Sequence, residues 1–234
     1  GQIDGQLVME EATNPIKVDI SQFYGIEIND FAVTVAKTAL WIAESQMLKE
    51  TENILLMHLD FLPLTTNAFI HEGNALSLLW EDIISKDKLK YIMGNPPFVG
   101  ARQMDKDKTL PKEQLHQKAD MEKVFGKIKG LGDLDYVTAW YKKAGDYIIG
   151  TSIKCAFVST NSITQGEQPG IIWKLLSNQG VKINFAHRTF QWDSEAHIKA
   201  HVHCVIIGFS MKDNLPKFLF DGETCKNVSN INSY

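Results

Sequence analysis

With 234 residues, the chain can bury one good-sized core, or one domain plus part of another. Hydrophobic residues make up 44% and charged residues 22%, an ordinary globular balance. A net charge of -4 excludes a polycation that grips nucleic acid over its whole surface, so any such contact needs a local patch.

No signal peptide and no apolar run of about 20 residues are visible, so neither secretion nor a membrane partner is expected. Cys155, Cys204 and Cys225 are odd in number, lie far apart and form no Cys-x-x-Cys. That pattern fits reduced thiols in a cytosolic protein better than a disulfide scaffold or a zinc site. Asn227-Val228-Ser229 spells a glycosylation acceptor, read as chance in the absence of a secretory signal. The chain opens on Gly1-Gln2-Ile3-Asp4 without an initiator Met and ends on Asn-rich sequence, which reads as a piece of a longer polypeptide.

Residues 1–20 are weakly patterned, with Glu10, Glu11 and Asn14-Pro15 suggesting a helix end and a loop. Gln22 to Ile28 reads as a buried strand with an acid near its carboxyl end. Asn29 or Asp30 can cap a following helix from Phe31 to Gln46, whose Phe31, Val35, Thr38, Ala39 and Ile42 recur at helical spacing. In doubly wound nucleotide-binding folds an acid after the second strand accepts from ribose hydroxyls, and Glu27 stands where that acid belongs. Taken by itself, Glu27 fits a surface glutamate equally well. Residues 47–68 read as a connector. Phe69-Ile70-His71-Glu72 reads as a short strand, broken at Gly73-Asn74, with a helix through Ser77 to Ile84. Glycine lets backbone approach a ligand, and Asn74 can both donate to and accept from an adenine edge. Gly73-Asn74-Ala75-Leu76 alone is also a plain turn.

Leu89 to Gly94 reads as the next strand, stopped by Asn95-Pro96-Pro97-Phe98, because proline cannot extend a ladder and fixes its own φ. Asn95 offers an amide oxygen, Pro96 a stiffly held carbonyl and Phe98 a flat aromatic face. Two fixed acceptors beside a stacking ring suit a planar substrate with an amino group, which donates twice. In isolation the four residues also fit a strand followed by a proline turn. Arg102 and seven lysines over residues 102–130 stand against five anions, a stretch that fits either a track for a phosphate backbone or a solvated helical insertion.

Leu134 to Ile149 reads as a helix with Leu134, Val137, Trp140, Tyr141 and Ala144 on its packing face. Cys155 to Val158 is a strand ending in Ser159-Thr160-Asn161-Ser162, and a helix spans Ile171 to Ser177 behind Pro169-Gly170. Val181 to Phe185 and Val202 to Phe209 form two strands, and Pro216 begins an unpatterned segment. Alternating strands and helices that close on a strand pair predict an α/β fold with a mostly parallel sheet and an antiparallel edge strand. His197, His201, His203 and Cys204 invite a metal, but residues four apart and neighbours alternating on a strand do not converge, so no metal site is expected.

Taken together and in this order, Phe23 to Ile28, Gly73 to Leu76, Gly94 to Gly100 and Phe157 to Ile163 resemble the N6-adenine DNA methyltransferases. Phe185 to Trp192 followed by Val202 to Phe209 sharpens the likeness to the methyltransferase part of the MmeI-type (type IIL) restriction-modification enzymes. The resemblance implies an incomplete Rossmann-like fold with S-adenosyl-L-methionine (SAM) as methyl donor. It implies double-stranded DNA as partner, in a bacterial or archaeal cytoplasm. It further implies that Glu27 holds the SAM ribose, that Ile28 lines the cofactor adenine and that Asn74 with Ala75 meets its edge. Asn95, Pro96, Pro97 and Phe98 would form the catalytic loop, and Phe98 and Phe190 would stack on the target base. Phe190 equally fits a core position.

The N6 lone pair of adenine is delocalised, so two acceptors pulling on its hydrogens favour the pyramidal form that attacks a methyl sulfonium. Duplex DNA hides that amine, so the base must be flipped out. No cysteine follows a proline, as cytosine-C5 methylation would require. Many relatives carry Asp where Asn74 stands, and nothing upstream of Gln22 matches the family's glycine loop. The expected organisation is therefore the end of a helix or loop at 1–20, a methyltransferase core lacking its first strand and glycine loop at 21–212, and at 213–234 the start of a linker to a target-recognition domain. The fragment alone is expected to be inactive. Two alternatives remain: a methyltransferase acting on ribosomal RNA or protein glutamine, and a non-catalytic DNA-binding or assembly remnant.

Overall fold

The computed structural model describes residues 17–56, 68–106, 116–192 and 202–232. Glu10, Glu11, Asn14-Pro15, His197 and His201 lie outside them, as do Asp107, Lys108, Lys112 and Glu113 of the lysine-rich stretch. The chain divides into two compact units, Gly1–Ala75 and Leu76–Tyr234.

In the first unit, β1 (Tyr24–Glu27) and β2 (Phe69–Glu72) pair in parallel, with Glu27 opposite Glu72. Parallel neighbours need a crossover, and α1 (Asp30–Leu55) lies within it. Asn29 caps that helix, its Oδ1 accepting the Ala32 N–H at 3.0 Å. Helix α1 runs to Leu55 rather than Gln46, because Met47, Leu48, Lys49 and Glu50 are good helix formers; Leu56, with φ 51°, ends it. The expected packing face is turned to solvent, with Phe31 74% exposed and Val35 and Ile42 also exposed. Val33 is buried instead, and half-buried Lys37, Leu40, Glu44 and Leu48 continue its stripe. The inward row carries Lys37 and Glu44, the latter accepting the Ile20 N–H at 3.2 Å, so apolar spacing pointed to the other face.

The second unit holds a six-stranded sheet in the order β3 (Tyr91–Gly94), β4 (Lys154–Thr160), β6 (Val202–Ser210), β5 (Lys182–Trp192), β7 (Lys217–Asp221), β8 (Thr224–Val228). β3 runs parallel to β4 and β5 to β7, whereas β6 is antiparallel to both β4 and β5, and β8 to β7. The mostly parallel sheet with one antiparallel edge is thereby corrected. The crossover from β4 to β5 through α5 (Gln168–Asn178) leaves one lane open, and β6 returns along it. One reversed strand thus makes two antiparallel ladders in the middle of the sheet.

The unpatterned segment expected from Pro216 is also a correction, because β7 and β8 form a hairpin across Gly222-Glu223, with Gly222 at φ 55°. Helix α2 is a single turn, Trp80–Ile83, shorter than expected, and α3 (Gln117–Phe125) occupies part of the lysine-rich stretch.

The core of this unit centres on α4 (Thr138–Tyr147). The helix starts at Thr138 rather than Leu134, yet Leu134 and Val137 ahead of it are fully buried with Tyr141 and Ala144, whereas Trp140 of the expected face is half-buried. The Tyr141 ring stacks on Phe209 at 5.5 Å and meets Phe157 and Trp173 edge-on. Its hydroxyl bonds Ser159 Oγ at 2.8 Å and donates to the Phe157 carbonyl at 3.2 Å, so the polar end is satisfied inside the core. Trp173 Nε1 likewise donates to Ile163 O at 3.0 Å.

Candidate functional site

The residues singled out from sequence fall into the two units. In the first, the parallel pairing of β1 and β2 brings two expected cofactor motifs together at the same strand ends. The Gly73 N–H donates to Glu27 O at 2.8 Å, and Gly73 adopts a φ of 150°, a conformation that side-chain-bearing residues rarely take. Glu27 Oε1 accepts the Asn29 N–H at 3.0 Å, which sets the carboxylate at the entrance to α1. Ile28 is 69% exposed, an apolar side chain left open beside that acid. Asn74 and Ala75 are half-buried.

In the second unit, β3 ends at Gly94, which packs against the Phe157 ring of β4; a β-carbon there would meet it at 3.5 Å. Asn95 follows, exposed to solvent, Pro96 is buried, Pro97 exposed and Phe98 half-buried. The alternation follows from the chain: Pro96 anchors the turn, which leaves the Asn95 amide facing outward. No side-chain hydrogen bond engages Asn95 among the described residues. The segment after the loop is strapped down, with the Tyr136 N–H donating to Val99 O at 2.9 Å and the Ala101 N–H to Asp135 Oδ1 at 2.8 Å. A cleft of about 420 Å³ opens beside that strap, lined by Gly100, Arg102, Asp135, Gln165 and Gln168 among others.

Phe190 lies on β5 just past a shift of register, half-buried, and meets the His187 ring edge-on at 5.1 Å. The preceding residue, Thr189, donates to Asn161 Oδ1 at 2.8 Å, which ties β5 to the turn that ends β4. Asp135 is the residue that sequence reasoning missed. It stands just before a helix whose apolar spacing drew all the attention, and nothing in Leu134-Asp135-Tyr136 marks a loop anchor.

Burial pushes the thiols of Cys155 and Cys204 up, away from the thiolate form, and all three cysteines are free. Among the described residues no group of three or more His, Cys, Asp or Glu side chains is placed to hold a metal. No described helix is long and apolar enough to cross a membrane.

The second unit is thus an α/β layout in which an Asn-Pro-Pro-Phe loop follows a strand paired in parallel with its neighbour, and the reversed β6 runs between β4 and β5. The chain belongs to the family of MmeI DNA-methyltransferase domains, whose model matches residues 2–221. It is 43% identical over 221 residues to the DNA methyltransferase A of Bacillus subtilis (strain 168), a match that covers 93% of this chain and 24% of that protein. Among solved structures it is similar to the Type IIL restriction-modification enzyme MmeI in complex with DNA, with 43% identity and a TM-score of 0.82. That match covers 92% of this chain and 29% of MmeI, so the chain spans under a third of the length of either relative.

Proposed function

We propose that the chain supplies the catalytic part of a SAM-dependent DNA methyltransferase that modifies N6 of a flipped adenine, within a restriction-modification polypeptide. The observation that carries the reading is the outward-facing Asn95 amide on a loop anchored by buried Pro96, in a chain of this family. That MmeI was solved in complex with DNA supports DNA as the partner.

Asn95 Oδ1 and the Pro96 carbonyl would accept the two N–H groups of the target amine and hold it in one orientation, with Phe98 stacked on the base. Phe190 would close the other face of the base. The first unit fits the cofactor by its donor set. Glu27 keeps one carboxylate oxygen for a ribose hydroxyl, Ile28 offers an apolar surface, and Asn74 and Ala75 lie next to the glycine that approaches Glu27. SAM, when bound, supplies an electrophilic methyl group. The chain's own part is to orient the amine and to exclude water around it.

The reading includes parts of the polypeptide outside this chain: a first strand with its glycine loop ahead of Gln22, and a target-recognition domain following the β7–β8 hairpin. The test uses the full-length polypeptide, tritiated SAM and phage DNA grown in a methylation-deficient host. Label should enter N6-methyladenine, and Asn95→Ala should lower the rate at least about 10²-fold. Label in another nucleoside, or an unchanged rate for Asn95→Ala, sinks the reading.

A further inference from the structure

We propose that Asp135 is a positioning residue that sets the Asn95–Phe98 loop for methyl transfer, a role that rests on the reading given above. Its Oδ1 accepts the Ala101 N–H at 2.8 Å and its Oδ2 accepts from Ser162 Oγ at 2.5 Å. Its own N–H donates to Gln168 Oε1 at 3.0 Å, and the next N–H along, that of Tyr136, reaches Val99 O at 2.9 Å. Asp135 therefore gathers Ala101, the turn that ends β4 and the first residue of α5, while the neighbouring Tyr136 holds Val99.

The loop depends on this gathering. Apart from the packing of buried Pro96, the loop's own hold among the described residues is one short-range bond, from the Val99 N–H to Pro97 O at 3.2 Å. Its orientation is set by β3 on one side and by the Asp135 anchor on the other. The anchor also reaches toward the second aromatic. Ser162 Oγ bonds Thr160 Oγ1 at 2.7 Å, and the intervening Asn161 accepts from Thr189, the neighbour of Phe190. A carboxylate suits this place because it accepts at both oxygens at once, which a serine or a single carbonyl cannot do at this spacing.

Asp135 is half-exposed and borders the open cleft, so water can satisfy its partners when the carboxylate is removed. The protein then keeps its fold but loses the fixed direction of the loop. A displacement of the order of 1 Å at reacting atoms costs about 10²-fold in rate.

The experiment measures kcat, KM for SAM and the thermal midpoint in the full-length polypeptide with the same phage DNA. Asp135→Ala and Asp135→Glu, the latter moving the carboxylate out by one methylene, should lower kcat about 10²-fold with KM for SAM within about threefold. Asp135→Asn should keep kcat within about tenfold, since its amide oxygen still accepts from Ala101 and its nitrogen donates to Ser162 Oγ. Should the alanine variant fail to fold, the glutamate and asparagine variants decide by the same criterion. A wild-type kcat in Asp135→Glu, a change confined to KM, or an asparagine variant as slow as the glutamate one overturns the proposal. If Asn95→Ala is inactive while the Asp135 variants are normal, only the positioning role falls; if Asn95→Ala is active, the reading beneath it falls.

Discussion

Replacing Tyr141 with Phe removes one oxygen from the centre of the second unit and leaves every ring contact in place. Tyr141 and Ser159 are both fully buried, and the phenol is the one partner of the Ser159 hydroxyl among the described residues. A buried hydrogen bond contributes about 1 kcal/mol net, and a buried hydroxyl left without a partner costs about 1–3 kcal/mol, so Tyr141→Phe should destabilise by about 2 kcal/mol. That is roughly a 30-fold change in the folding equilibrium, and a downward shift of about 1 M in urea midpoint. Four of the five tryptophans, all but Trp41, belong to the second unit, so fluorescence during urea unfolding reports mainly on it. The decisive arm is Tyr141→Phe with Ser159→Ala. With both polar ends gone, the pair should lie within about 1 kcal/mol of wild type, a coupling of about 1–2 kcal/mol. A single-variant loss under about 0.5 kcal/mol, or a double variant that loses the sum of the singles, refutes the reasoning.

Gly208 lies opposite Phe185, and a β-carbon there would come within 1.9 Å of that ring, so Gly208→Ala should cost at least about 1–3 kcal/mol by urea midpoint. Phe185→Leu in the same chain should recover part of that loss, and no recovery would show the strain to lie elsewhere. Burial, with Lys123 nearby, pushes the Lys143 ammonium down to about 8 from an ordinary 10.5. Between those values the unfolded chain still binds a proton that the folded one has released, so stability should rise with pH there. Below about 8 both states are protonated and the burial cost is present in full. Lys143→Met should flatten that rise, and parallel midpoints for the two proteins across the window would contradict the assignment.

Local punctuation was legible in the sequence where one residue type leaves few options. The strand Phe69–Glu72 stands where its pattern placed it, closed by Gly73, and the strand before Asn95 ends at the proline pair as expected. The buried face of α4 was also legible, because its apolar spacing has one reading. Helix α1 shows the opposite case, since the stripe of Phe31 and Val35 is more apolar than the buried one, which holds Lys37 and Glu44. The position of β6 between β4 and β5 is a matter of lane order, which the strands' own residues do not encode. The β7–β8 hairpin did carry a signal in Gly222-Glu223 between two short runs, since glycine at the first loop position takes a positive φ freely. At the candidate site, Glu27 and Asn95 stood out by residue type alone. Asp135 could not, because its importance lies in which distant backbone amide it meets.

The β7–β8 hairpin also bears on where such a module can be cut. A chain divided at residue 212 would turn β5 from an interior lane into a bare border, exposing the backbone that now pairs Phe185 with Phe218 and His187 with Phe220. It would also free the salt bridge between Arg188 and Asp221 and uncover the aromatic flank of His187. Bare β borders recruit other chains. Any fusion to this module should therefore be joined beyond Val228, where the outermost strand already faces solvent with Lys226 as a built-in deterrent to stacking.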